Sequence, residues 1–544
     1  MENKTKLTFP ALFTKTLKNH EDAAAFAFVG ENSITYKEVK EKIDEVIALL
    51  ENLNIKSKDK VAILSLNMPN WGITYYAITF MGAIVVPILP DFMPTEIENV
   101  LTHSEAKAIF VSKNLYTKIA KLDNPKNVIK IEDFSIIESQ NPIILSNKKS
   151  SNKYNINEND LATIIYTSGT TGKSKGVMLT HKNIIFNALA GKKIQPVVET
   201  DRFLSILPLS HTYENTLGLI LPLLGGACVY YLKKPPTPSV LLPALQEVKP
   251  TVMLSVPLII EKIHKNKIMA TFNKSIATRF LYKIPPVRKL LNRIAGKKLY
   301  ETFGGELKFF GIGGAKLNKT VEKFLLEAKF PYAIGYGLTE TSPLLAGANP
   351  AKTKLGSTGP AVEGMKIKIN DPDPKTREGE IWGKGPCVMQ GYYKEPELTK
   401  QVITEDGWFK TGDLGVFDER GFLYIRGRLK NMIVGPSGEN IYPEEIESVI
   451  NNFKHVVESI VLQQAGKLVA KVRFNTEDIE KQYEHTKEDV SKFVEAQIEI
   501  LKKELRKYVN SRVNAFSRIQ KVIAQVEPFQ KTATHKIKRF LHMK

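Results

Sequence analysis

The chain reads as an α/β protein: a large N-terminal domain of parallel-rich sheets covered by helices, a β-rich subdomain, and a small α+β C-terminal domain. Three observations predict this. Up to about residue 350, short apolar runs alternate with helical patterns, the signature of mainly parallel sheets. After about residue 352, Gly and Pro become dense and short strands such as Met365–Ile369 and Gly379–Ile381 recur. Beyond Arg428, short strands at Ser459–Leu462 and Lys467–Phe474 precede one long charged helix, from about Lys487 to Ser511. These set the boundaries at 1–429 (β-rich part about 352–429) and 430–544. A length of 544 residues, 43% hydrophobic and 25% charged, suits a chain of several domain-sized units with a large core.

The elements follow from local pattern. Val39, Ile43, Val46, Ile47 and Leu50 recur at helical spacing, so Ile34–Leu53 is an amphipathic helix. Val61–Pro90 has no charge, yet Asn67, Met68, Pro69 and Asn70 interrupt it. It therefore divides into strand Val61–Leu66, helix Trp71–Gly82 and strand Ala83–Leu89, a βαβ unit with fully buried strands rather than a membrane span. Leu217–Leu232 is likewise uncharged but is broken by Pro222, Gly225 and Gly226. Further strands are expected at Ala108–Val111, Val128–Ile131 and Leu161–Tyr166, the last after a polar loop, Asn141–Asn159.

Charge and cysteine content narrow the classes. Cys228 and Cys387 supply neither a disulfide framework nor metal-ligand spacing, which points to a reducing compartment, the cytoplasm. Met1–Pro10 lacks the apolar stretch of a secretory leader. The net charge of +20 is concentrated: Glu261–Glu301 holds eleven Lys or Arg between its two acidic ends. Such a segment suits a solvated surface, an anionic membrane surface or an acidic protein partner. No zinc spacing or RNA-binding signature accompanies it, so nucleic acid is not an expected partner.

Five motifs carry chemistry. Tyr166-Thr-Ser-Gly-Thr-Thr-Gly-Lys-Ser-Lys-Gly176 is a strand feeding a Gly-, Ser- and Thr-rich loop, able to turn N–H groups and hydroxyls toward phosphate oxygens. Gly172-Lys173-Ser174 imitates the end of a Walker A motif, but Thr167 stands where that motif needs glycine. Gly335-Tyr-Gly-Leu-Thr-Glu-Thr-Ser-Pro343 offers close backbone approach, a stacking ring at Tyr336 and a hard oxygen ligand at Glu340. Trp408-Phe-Lys-Thr-Gly-Asp-Leu414 sets Asp413 in a turn suited to a sugar diol. Tyr424-Ile-Arg-Gly-Arg-Leu-Lys430 and Lys531-Thr-Ala-Thr-His-Lys-Ile-Lys-Arg539 complete the set. Alone, each also reads as an ordinary turn or basic surface.

In this order the five resemble the acyl-adenylate-forming superfamily of acyl-CoA synthetases, luciferase-like enzymes and peptide-synthetase adenylation domains. The resemblance covers nearly the whole chain. Pro208–Asn215, Phe303–Phe309 with Gly311–Lys316, and Gly438–Glu447 are similar to the long-chain fatty acyl-CoA synthetase branch. The compact run Arg428–Gly438 lacks the insertion typical of fatty acyl-AMP ligases.

The resemblance implies activation of a medium- to long-chain fatty acid with ATP and Mg2+, then transfer to CoA. An acyl carrier protein as acceptor is the alternative. Thr167, Ser168, Gly169, Thr170, Thr171 and Gly172 would wrap the β- and γ-phosphates, with Lys173 and Lys175 adding charge. Tyr336 would stack on adenine against Gly314, Ala315 and Gly335, with Gly337 beside it. Thr339 would touch the α-phosphate, and Glu340 with Thr167 would hold Mg2+. Asp413 would accept the ribose hydroxyls, with Arg428 near the same sugar. Lys536 would serve the first step, although His535 stands where the family usually has glycine. Lys430 would be the hinge of a mobile C-terminal lid and Gly438 would line the acceptor tunnel. His211, Tyr213 and Gly313 would border the acyl pocket. For an enzyme of that kind, the charge of the 261–301 segment would suit an anionic membrane or an acidic acyl carrier protein, with the protein cytoplasmic or peripheral at the inner membrane surface. A homodimer is left open.

Overall fold

A computed structural model describes residues 6–139, 154–168, 174–435, 439–480, 487–532 and 537–542. The chain divides into two compact units. The first comprises Met1–Lys368, Trp382–Thr411 and Phe417–Tyr424, and the second Ile369–Ile381, Gly412–Val416 and Ile425–Lys544.

The first unit is built on two eight-stranded sheets. One runs in the order 344–347, 332–337, 309–312, 252–255, 202–205, 228–231, 24–28, 34–35. Its six inner strands are parallel and its two edge strands antiparallel. The other runs 391–392, 174–180, 161–168, 84–88, 60–64, 108–111, 127–130, 136–138, again parallel inside and antiparallel at both ends. Parallel strands need crossovers that cover both sheet faces, so the inner strands are mostly apolar and buried.

The βαβ unit is present as strand Lys60–Leu64, helix Pro69–Phe80 and strand Ile84–Ile88, with Lys60 opposite Ile84 and Leu64 opposite Ile88. Every residue from Trp71 to Phe80 is buried, which explains why this stretch carries no charge. The amphipathic helix is Tyr36–Asn52. It starts later than its apolar pattern because Thr35 and Glu38 form a capping box: the Thr35 N–H donates to Glu38 Oε2 (2.7 Å) and the Glu38 N–H donates to Thr35 Oγ1 (3.2 Å). Ile34 and Thr35 instead extend an edge strand.

Four strands, 366–370, 379–384, 409–417 and 423–428, form a further sheet, and the division between the units falls within them. The rest of the second unit centres on a sheet of strands 456–464, 467–474 and 521–524 with helices Pro443–Ile450 and Lys487–Asn510. Its core is separate, built on Ile446, Ile450, Val461, Ala470, Val472, Leu505 and Val509. Among the described residues, no helix is long and apolar enough to cross a membrane.

Candidate active site

The phosphate-loop motif is a hairpin. Strand Leu161–Ser168 pairs antiparallel with Ser174–Thr180, setting Thr167 opposite Lys175 and Ser168 opposite Ser174. Gly169, Thr170, Thr171, Gly172 and Lys173 lie outside the described residues. Thr167 is half-buried at the base of this loop.

Tyr392, which motif reading missed, joins the hairpin to the second motif. The short strand Gly391–Tyr392 pairs with Val177 and Met178. The Lys175 ammonium lies 5.2 Å from the Tyr392 ring centre. The Tyr392 hydroxyl donates to Glu340 Oε1 at 2.9 Å, and the Met389 N–H donates to the Glu340 carbonyl at 2.9 Å. Burial, reinforced by the Glu340 charge, drives the phenol pKa far up, so this hydroxyl remains a donor at all ordinary pH. The only sequence signal was an aromatic pair, Tyr392-Tyr393, after Gly391.

Glu340 belongs to a turn that the sequence could hardly build otherwise. Strand Tyr332–Gly337 ends, turns through Thr339–Thr341, and returns as Leu344–Gly347. A side chain on Gly337 would begin 1.8 Å from the Pro343 carbonyl oxygen, so only glycine permits the turn. The Leu338 N–H donates to the Pro343 carbonyl (3.1 Å) and to Thr341 Oγ1 (3.0 Å). Buried Asn187 grips the turn, donating to the carbonyls of Thr341 (3.2 Å) and Leu344 (2.8 Å) and accepting from the Leu344 N–H (3.1 Å). Tyr336 is half-buried against a cluster that includes Leu344, Val362 and Met365. Thr339 and Glu340 are both partly exposed.

Glu340 is a partly exposed carboxylate, a hard oxygen donor of the kind that Mg2+ takes together with waters and substrate phosphates, so the turn fits that ion. Among the described residues, no group of three or more His, Cys, Asp or Glu gathers to hold a metal.

An apolar cavity lies beside this turn. Its lining includes Tyr213, Leu217, Leu254, Phe309, Gly311 and Gly335, and water-sized spheres can reach about 50 Å³ of it. The Tyr213 ring lies over two glycines: a Cβ on Gly313 would fall 3.1 Å from the ring, and one on Gly311 would fall 3.0 Å from its hydroxyl. The room at Gly313 is thus filled by Tyr213. Gly314, with φ +84°, and Ala315 are exposed beyond it. His211 Nδ1 accepts from the Tyr213 N–H at 3.3 Å, capping the turn that carries the ring.

Behind that turn sits Glu214, also missed. It is fully buried, and Ser205 Oγ donates to its Oε1 at 2.6 Å, while Asn67 Nδ2 donates to Ser205 Oγ at 2.9 Å. Oε2 has no hydrogen-bond partner among the described residues. Burial pushes this carboxyl up to about 8, so it is protonated at neutral pH.

In the second unit, Asp413 is buried on its strand and takes an ion pair from Arg428 Nε at 2.8 Å. The two residues expected at one sugar are therefore joined to each other. Lys430 is exposed in the short turn Leu429–Asn431. Gly438, His535 and Lys536 lie outside the described residues. The flanks of the last two are pinned: Lys531 bridges to Ile537 and pairs with Glu458 at 2.5 Å, and Arg539 is bound to Glu447.

Residues 13–393 match the model of the AMP-binding enzyme family. The chain is 28% identical over 506 residues to the Drosophila melanogaster long-chain-fatty-acid–CoA ligase heimdall, covering 84% of this chain and 74% of that one. It is 29% identical over 525 residues to the Arabidopsis thaliana chloroplastic long-chain-fatty-acid–[acyl-carrier-protein] ligase AEE15, covering 79% and 71%. The fold matches that of o-succinylbenzoate CoA synthetase (MenE) from Bacillus subtilis in complex with ATP and magnesium, with TM-score 0.76, 21% identity, and coverage of 97% and 98%. The chain belongs to the AMP-binding enzyme family and is an adenylate-forming enzyme.

Two outcomes follow from this geometry. Gly337→Ala should lower the unfolding free energy by about 2–4 kcal/mol and reduce ATP-dependent turnover. A variant as stable as the parent in a denaturant titration would contradict the Pro343 contact. Glu214 binds its proton more tightly folded than unfolded, so its contribution to stability is complete below about pH 4.5 and is lost as the pH climbs to about 8. Glu214→Gln keeps an acceptor for Ser205 and cannot ionise. Its stability relative to the parent should rise from about pH 5 to 8, by at most ~1.4 kcal/mol per pH unit. A difference constant with pH would show that the carboxyl does not titrate in that range.

Proposed function

We propose that the protein is an AMP-forming acid–thiol ligase that activates a medium- to long-chain fatty acid with ATP and passes the acyl group to CoA. One observation carries this reading. Ala333, Ile334 and Gly335 of strand 332–337 line the apolar cavity, and the next residues, Tyr336 and Gly337, open the turn that presents Thr339 and Glu340. The apolar cavity and the turn that would face the phosphates thus share one strand. The relatives named as long-chain acyl ligases support the same substrate class.

In the first step a substrate carboxylate oxygen attacks the α-phosphorus of ATP. The bond from that phosphorus to the bridging oxygen breaks, and pyrophosphate leaves with the electron pair. Both reactants are anions, so positioned positive charge lowers the barrier. Glu340 and Thr167 would hold the magnesium ion, which supplies charge neutralisation on the phosphate oxygens. Tyr392 orients the Glu340 carboxylate, and Lys175, beside the Tyr392 ring, adds charge near the phosphate loop. Thr339 would meet the α-phosphate, and residues 167–173 the β- and γ-phosphates. Tyr336 would stack on adenine, bordered by Gly314 and Ala315. Asp413 would accept the ribose hydroxyls, its carboxylate oriented by Arg428. Lys536 would offset the charge developing in the transition state.

In the second step a thiolate attacks the acyl carbonyl, the bond to the phosphate oxygen breaks, and AMP leaves. The domains proposed are 1–429 and 430–544. Rotation about Lys430 would withdraw Lys536 and bring the acceptor channel at Gly438 to the acyl-adenylate. Tyr213, seated on Gly313 and capped by His211, would border the acyl chain. A carrier-protein thiol is the alternative acceptor, supported by the name of the Arabidopsis relative. The compartment proposed is the cytoplasm.

Pyrophosphate release with Mg-ATP, across acids from acetate to oleate and with or without CoA, tests this. Release should depend on a long acid and CoA, and Lys536→Ala should lower it on the order of 10²–10³-fold. Release without CoA consumption would transfer the proposal to a carrier acceptor. No release with any acid would sink it.

A further inference from the structure

The long connection between strands Val252–Ser255 and Phe309–Ile312 presents a surface that the reaction does not use. These strands are parallel neighbours, with Val252 opposite Phe309 and Leu254 opposite Gly311, and all four residues line the apolar cavity. A crossover between parallel neighbours needs about a dozen residues. This one spans residues 256–308.

Two helices in it, Ile276–Leu281 and Pro285–Thr302, turn apolar side chains to solvent. Ile276 is 83% exposed, Phe280 67%, Leu290 58% and Ile294 51%. The opposite side is anchored. Arg288 makes a two-point contact with Glu327 (2.9 and 3.2 Å), and Asn292 donates to the same carboxylate at 2.7 Å. Gly296 packs so closely on Ala328 that a Cβ would fall 2.5 Å from the Ala328 Cβ. Phe272 stacks on Tyr282 with ring centres 4.8 Å apart. Leu290 and Ile294 therefore stand on the side of their helix away from these anchors.

Charge identifies what that face meets. Between Lys262 and Tyr300 there are eleven Lys or Arg and no Asp or Glu, more than half of the net +20. On the helix Pro285–Thr302, Leu290 and Ile294 lie one turn apart, with Arg293 and Lys297 on the same side and Lys289 and Lys298 flanking them. Apolar tips ringed by long cationic side chains match a bilayer interface, where the tips enter the acyl boundary and the cations reach lipid phosphates.

We propose that residues 257–302 form a docking face for an anionic lipid bilayer, through insertion of Ile276, Phe280, Leu290 and Ile294 and pairing of Lys289, Arg293, Lys297 and Lys298 with headgroup phosphates. The proposal rests on the fatty-acid reading in its purpose, which is to load membrane-dissolved acid toward the cavity that both strands line. It does not rest on that reading for the binding itself.

The test is flotation of the full chain with phosphatidylcholine vesicles, with and without phosphatidylglycerol, at low and high salt. Two variants accompany it: Ile276→Ser/Phe280→Ser/Leu290→Ser, and Lys289→Glu/Arg293→Glu/Lys297→Glu. The parent should float only with phosphatidylglycerol and less at high salt. The charge variant should lose on the order of a hundredfold in partition and the apolar variant at least about tenfold. Both variants should turn over dissolved decanoate as the parent does, yet lose turnover of vesicle-borne oleate. A parent that stays off anionic vesicles, or variants that float like the parent, would overturn the proposal. So would capture by an acidic carrier protein in place of lipid. Failure of every form to turn over decanoate, with flotation intact, would strike the fatty-acid reading and leave the docking face standing.

Discussion

The turn that presents Thr339 and Glu340 depends on one close approach, the backbone of Gly337 against the carbonyl of Pro343. That contact lets a strand at the edge of a parallel sheet reverse within a few residues. The reversal exposes Thr339 and Glu340 at the end of a rigid strand. Asn187, from a helix packed beneath, satisfies backbone groups that so tight a turn would otherwise leave unpaired. Tyr392 then fixes the carboxylate that the turn presents. Several elements far apart in sequence converge on one glycine.

Electrostatics is handled differently at the turn and at the apolar cavity. At the turn, Glu340 is partly exposed and oriented by a neutral phenol whose ring lies against Lys175. The apolar cavity is bordered by a segment whose acid, Glu214, is buried and neutral. A charged carboxylate there would impose a desolvation penalty beside the apolar lining. Held by Ser205 and Asn67, a protonated one anchors the Tyr213 turn without charge.

The second unit has its own core and its own polar anchors. The Asp413–Arg428 pair holds a carboxylate in a single orientation, and Glu447 with Arg539 secures the chain after Lys536.

Residue pattern alone determined the alternating architecture, the βαβ unit at 60–88, the long helix near 487–510 and the ordered motifs, because periodicity and turn chemistry are local properties. The membership they imply agrees with the family match. Tertiary structure decided the partnerships. Tyr392 meets Glu340 across 52 positions, Ser205 finds Glu214, and Tyr213 fills the space over Gly313. Arg428 turned out to bind Asp413 itself. The basic segment was visible as charge, but its outward Ile276, Phe280, Leu290 and Ile294 were not. Which side of a helix is covered depends on what the rest of the chain packs against it, and no local pattern contains that.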